Sequence, residues 1–174
     1  EEILDENLNT IVKKDSNNAW YDSKDNKMFY CLYGYYYDGL TDEPIVCKES
    51  GAQATDYFYE SGYFAAKQGK DIYIFDGDGK TVCVVKNAVE IFGFDQTMFY
   101  TCAEKGTLRR ETYYDYSGNE VLSLQYDYDK GYKTVEYSRR PSRFLLTSER
   151  NNEGSFTQFR IFDREKGEYL DEIS

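Results

Sequence analysis

From Trp20 onward, apolar and polar positions alternate in short runs broken by turn residues, the period-two signature of β-strands. The second unit shows the grammar best. Thr55–Glu60, Tyr63–Lys67, Asp71–Phe75 and Lys80–Val85 read as strands, separated by Ser61-Gly62, Gln68-Gly69-Lys70 and Asp76-Gly77-Asp78-Gly79. The third unit repeats the plan over Val89–Phe94, Met98–Ala103, Arg110–Tyr114 and Glu120–Tyr126. The fourth runs Lys133–Ser138, Arg143–Ser148, Ser155–Phe162 and Glu168–Ile173. The first is less regular, with Asn18–Tyr21, Lys27–Tyr33, Tyr35–Tyr37 and Pro44–Lys48. Phe29, Phe64, Phe99 and Phe144 mark the beat, 35, 35 and 45 residues apart. Such a period belongs to supersecondary units that stack because none can bury its apolar face alone.

Residues 1–18 follow another pattern. Ile3, Leu4, Leu8, Ile11 and Val12 have helical spacing, with acids crowding the first turn, so a short amphipathic helix is one reading. The other makes Thr10–Lys13 a closing strand beside Glu168–Ile173. No Pro-, Gly- or Ser-rich linker interrupts residues 19–174, which read as one four-repeat β domain. The longest irregular connection falls at Tyr126–Tyr132.

Composition reinforces the strands. Nineteen Tyr and eleven Phe carry the apolar surface that aliphatic residues usually supply, and aromatic residues favour strands. The formal charge of −11 opposes binding to phosphate backbones and anionic membranes, so nucleic acid is not an expected partner. No apolar run approaches the ~20 residues of a membrane helix. Cys31, Cys47, Cys83 and Cys102 form no C-x-x-C pair and the chain has no His, so neither a metal site nor a cofactor is expected. The four cysteines read as small buried hydrophobes. The chain opens at Glu1 rather than Met, which reads as a processed or trimmed piece.

Three hairpins share an aromatic-Asp start followed by a Gly: Phe75-Asp76-Gly77-Asp78-Gly79-Lys80, Tyr114-Asp115-Tyr116-Ser117-Gly118-Asn119 and Phe162-Asp163-Arg164-Glu165-Lys166-Gly167. They are similar to the aromatic-Asp-x-x-Gly-Lys turns of bacterial propeller and tryptophan-glycine repeat proteins. The resemblance implies an all-β fold of four blade-like antiparallel β-meanders in a propeller-like arrangement. The chain lacks the Gly-His and Trp-Asp pairs of WD repeats. It also lacks the Trp-Gly pair, since Trp20 is its sole Trp. A β-barrel or sandwich is the alternative architecture.

Candidate chemistry is sparse. Asp76-Gly77-Asp78-Gly79 resembles the start of a calcium loop, but a strand follows where the closing acid belongs, and Asp and Gly are also hairpin residues. Glu90, Glu111 and Glu136 lie inside candidate strands and are the acids that a glycoside hydrolase would use, with the solvent-facing phase of those strands as the plainer role. Without His, Ser-His and Cys-His nucleophiles are excluded. Arg109-Arg110, Arg139-Arg140 and Arg143 could grip an anion bidentately or simply pair with neighbouring acids. The tyrosine clusters place rings on both strand faces. Tyr35, Tyr37, Tyr57, Tyr59, Tyr114 and Tyr116 are therefore candidate ligand-binding residues for a sugar or peptide. The expected function is a non-catalytic binding module with a protein or carbohydrate ligand, in an extracellular or cell-surface bacterial protein. The alternative is a carbohydrate-active enzyme using strand carboxylates.

Overall fold

A computed structural model describes residues 2–4, 10–13, 19–22, 27–32, 35–39, 53–58, 61–136 and 141–170, with side chains for 37–39, 61–136 and 141–170. The described elements are all strands, and their pairings are antiparallel. In chain order they are β1 (Glu2–Leu4), β2 (Thr10–Lys13), β3 (Ala19–Asp22), β4 (Lys27–Leu32), β5 (Tyr35–Asp38), β6 (Gln53–Phe58), β7 (Tyr63–Gln68), β8 (Asp71–Phe75) and β9 (Thr81–Val85). There follow β10 (Glu90–Gly93), β11 (Met98–Lys105), β12 (Leu108–Asp115), β13 (Glu120–Asp127), β14 (Gly131–Val135), β15 (Phe144–Asn151), β16 (Phe156–Asp163) and β17 (Glu168–Tyr169).

The sheets are small, and each is ordered as its strands occur in sequence: β3-β4-β5, β6-β7-β8-β9, β10-β11-β12-β13 and β14-β15-β16-β17. Separate consecutive meanders replace the single sheet that a barrel alternative requires. The expected strand Pro44–Lys48 lies outside the described residues. The helix reading of residues 1–18 is corrected: β1 and β2 pair with each other, Ile3 opposite Val12. Apolar residues at i and i+4 there are also consistent with short extended runs, and a helix of that length is marginal without packing. Thr10–Lys13 is the strand β2, and its described partner is β1.

The chain divides into two compact units, Glu1–Val84 and Val85–Ser174. Contacts in a meander are local in sequence, so a boundary between meanders needs no linker composition to mark it. In the first unit, Phe64, Ala65, Ala66, Ile72 and Ile74 of β7 and β8 are fully buried. In the second unit, Met98, Tyr113, Leu122 and Leu124 of the β10–β13 sheet pack against Val135, Leu145 and Phe162 of the β14–β17 sheet. Arg164 ties the same two meanders, donating from Nη2 to Thr97 Oγ1 at 2.9 Å.

The hairpin resemblance has a physical basis in the turns. Asp76 Oδ1 accepts from the amides of Asp78 and Lys80, Asp115 Oδ1 from Ser117 and Asn119, and Asp163 Oδ1 from Glu165 and Lys166. Each aspartate thus closes its own turn. The Asp76 oxygen that a calcium loop would direct at a cation is aimed at backbone amides. Gly118, at φ 86°, supplies the left-handed residue that the Asp115 turn needs.

These turns also correct the repeat register. The residue paired with the aromatic just before each turn aspartate is Phe64 opposite Phe75, Phe99 opposite Tyr114 and Leu145 opposite Phe162. All three are buried. Phe144 instead pairs with Asp163 and is 46% exposed. The equivalent of Phe99 is therefore Leu145, one residue later than the sequence beat. Phe29, opposite Asp38, stands in the register of Phe144. A slip of one residue moves a side chain to the other face.

Candidate functional site

Two features of the second unit stand out, a buried polar cluster around Glu111 and a groove beside the start of β14. Glu111 sits mid-β12, opposite Cys102 on β11 and Leu124 on β13, on the face turned to the β14–β17 sheet. It is 8% exposed, which overturns its solvent-facing assignment. A carboxylate there needs compensation. Tyr126 donates its hydroxyl to Oε1 at 2.7 Å and Tyr113 donates to Oε2 at 3.3 Å, while Arg109 Nε lies 3.2 Å from Oε1. Arg109 spreads its other hydrogens over Glu104 Oε1 and Tyr128 Oη, each at 3.0 Å, and Cys102 Sγ at 2.9 Å.

Burial, reinforced by the Glu111 charge, pushes the Tyr100, Tyr113 and Tyr126 hydroxyls above the ordinary tyrosine value. Burial likewise pushes the Cys102 thiol up to about 11, against the pull of Arg109. At neutral pH the cluster holds protonated phenols and an unreactive thiol beside the Arg109 guanidinium. It clamps three strands together. The reading of Cys102 as a plain buried hydrophobe misses its bond to Arg109.

The groove lies where β13 hands over to β14. Tyr126–Tyr132, expected to be irregular, is a tight turn: Lys130 N donates to Asp127 O and Asp129 N to Asp127 Oδ1. Gly131, at φ 134°, opens β14 directly against β15; a Cβ there would stand 2.0 Å from the Arg150 carbonyl oxygen. The β15–β16 ladder bulges between Glu149 and Arg150. Together these features shape a hollow of about 240 Å³ lined by Tyr126, Asp127, Tyr132, Lys133, Glu149 and Arg150, among others. A second hollow of about 160 Å³ shares Lys133 and Glu149 and continues to Arg160 and Tyr169. Lys133 Nζ donates to Glu149 Oε1 at 2.7 Å between β14 and β15. The Arg150 guanidinium lies 3.4 Å from the Phe156 ring centre, and that of Arg160 lies 3.8 Å from the ring centre of Tyr169. Both hollows are smaller than the roughly 300–1,000 Å³ of drug-sized ligand sites. They suit one or two side chains of a peptide, or a sugar ring.

The groove gathers none of the six tyrosines singled out in the sequence. Tyr116 is 7% exposed and packs beside Phe99. Tyr114 is half-buried and stacks on Phe99 with ring centres 5.4 Å apart. Tyr37 is half-buried on β5, and Tyr35 and Tyr57 belong to β5 and β6. Tyr59 lies outside the described residues, as do the side chains of Tyr35 and Tyr57. Glu90, Glu111 and Glu136 do not line the groove. Glu136 accepts from Ser148 Oγ instead. Of the groove acids, Glu149 is tied to Lys133, and the Thr107 hydroxyl holds the Asp127 carboxyl below the usual range, the reverse of a raised proton donor. The arginines pair with acids: Arg110 with Glu120, Arg109 with Glu104 and Glu111, and Arg143 with Asp163 and Glu165. Arg139 and Arg140 lie outside the described residues. Lys133, Arg150 and Arg160 are ordinary surface charges in sequence, and pairing alone brings them together.

No protein-family model matches the chain, and no characterised protein matches it by sequence. Among solved structures it is similar to the WD40 domain of Toxoplasma gondii coronin, with 13% identity and a TM-score of 0.48 over 92% of this chain and 46% of that one. The AfRom2 CNH domain shares 10% identity, with a TM-score of 0.49 over 89% and 54%. A eukaryotic initiation factor shares 7%, with a TM-score of 0.47 over 91% and 66%. The chain thus spans about half to two thirds of the length of these structures. Identities and scores this low transfer no residue's role and no function.

Proposed function

We propose that this chain is a non-catalytic binding module that receives a protein segment in the groove between its third and fourth meanders. The meanders act as propeller-like blades in this reading. The observation that carries it is the groove's lining: Tyr132, Arg150, Lys133 and Glu149 offer an aromatic surface and both charge signs within one shallow hollow. Such a surface fits a peptide with an acidic residue beside an aromatic one. A carbohydrate ring stacking on Tyr132 is the other ligand that the lining admits. Tyr37, half-buried on β5, stays a candidate ligand-binding residue, and Tyr35, Tyr57 and Tyr59 are proposed with it on the sequence pattern alone. Placement in a bacterial surface or secreted protein rests on the hairpins' similarity to bacterial repeat proteins.

The test is a peptide and glycan array probed with the 174-residue chain, followed by calorimetry on the hits. Arg150→Ala and Tyr132→Ala should each weaken binding at least tenfold, and Tyr114→Phe should leave it unchanged. Full affinity in both groove variants, or hydrolysis of a bound glycan, overturns the reading.

A further inference from the structure

The β14–β17 meander buries one face and leaves the other open. Its closed face presents Val135, Leu145 and Phe162 to the β10–β13 sheet. Its open face carries Phe144, Leu146 and Phe159, which are 46%, 42% and 51% exposed, with Ile161 partly exposed and Phe156 tilted against Phe159, ring centres 4.7 Å apart. Among the polar groups interspersed there, Ser148 bonds to Glu136, Asp163 bonds to Arg143, and the Arg150 guanidinium lies over the Phe156 ring. An apolar strip of this kind is uncommon on a free surface.

The turn aspartates say what this face is. Met98 pairs with Asp115, and Phe144 pairs with Asp163. In that register Phe144 and Leu146 are the equivalents of Met98 and Tyr100, and Ile161 is the equivalent of Tyr113. Met98 and Tyr113 are buried because the next meander lies on them. The same positions, one meander later, are apolar and uncovered.

We propose that the open face of β14–β17 is a docking surface for one further blade-type β-meander, supplied from outside these 174 residues. That meander presents an aliphatic–aromatic set like Val135, Leu145 and Phe162. The interface would repeat the one already present between the third and fourth meanders. With Ser148 and Asp163 already bonded within the meander, the strip offers little to a sugar's hydroxyls and much to another apolar sheet.

The experiment extends the chain with a second copy of residues 128–174 after Ser174 and places Phe159→Cys in the first copy. Thiol labelling at that residue, read by peptide mass spectrometry, should be fast in the unextended chain and at least tenfold slower in the extended one. Leu145→Glu in the appended copy should restore fast labelling. Equal labelling rates in the two chains, whether or not the added meander folds, overturn the proposal. So does protection that grows with concentration in the unextended chain and vanishes in Leu146→Glu, since a second copy's like face would then be the occupant.

Discussion

At the scale of single residues, the buried Glu111–Arg109 pair is where this protein is most exposed to damage. Removing one partner of such a pair leaves the other charged and desolvated. Glu111→Ala should cost about 3–5 kcal/mol in chemical denaturation, by that penalty. Glu111→Gln should cost less, because it keeps acceptors for the Tyr113 and Tyr126 hydroxyls. Asp163 sets the acid limb. Its bidentate bond to Arg143, with the turn amides, holds its carboxyl down to about 2. A depressed carboxyl stabilises the fold above its unfolded value and loses that contribution as pH falls through its folded value. The parent should therefore lose stability between pH ~4 and ~2. Asp163→Asn should lose less across that window, which denaturation series at stepped pH will show.

At the scale of elements, the meanders depend on hairpins that lock themselves and on one close approach. Gly131 is that approach, since a Cβ would meet the Arg150 carbonyl. Gly131→Ala should cost roughly 2–3 kcal/mol and raise hydrogen exchange in β14 and β15 together. Strands and turns were legible in the sequence because their signals are local: aromatic alternation within six residues, and an aspartate bonding to amides two to four residues on. The phase of β15 was not. Phe144, Leu145 and Leu146 are apolar in succession, so alternation cannot choose among them, and the choice is made by pairing with β16 far along the chain. The groove was illegible for a related reason. Lys133 and Glu149 are opposed only by the β14–β15 register, and each alone is an unremarkable surface charge. Glu111 was singled out for its position in a strand, but its burial depended on a neighbouring sheet that the sequence does not display.

At the scale of the whole molecule, net charge and the open apolar strip act against each other. With 32 acids against 21 bases and no His, charge repulsion is strong at neutral pH and weakens only as carboxylates protonate. Self-association, followed by light scattering, should peak near the sequence pI of about 4.6. Phe159→Glu should change thermal stability little, because the side chain is half exposed.

The aspartate-locked turns have a consequence for how such a chain can change. Each lock is completed within a handful of residues, so exchange of genetic segments between the stretches at Asp115 and Asp163 hands over a whole cassette with its bend already secured. Growth or shortening by entire cassettes disturbs only the flat surfaces at which neighbours meet, and selection then has just those surfaces to adjust.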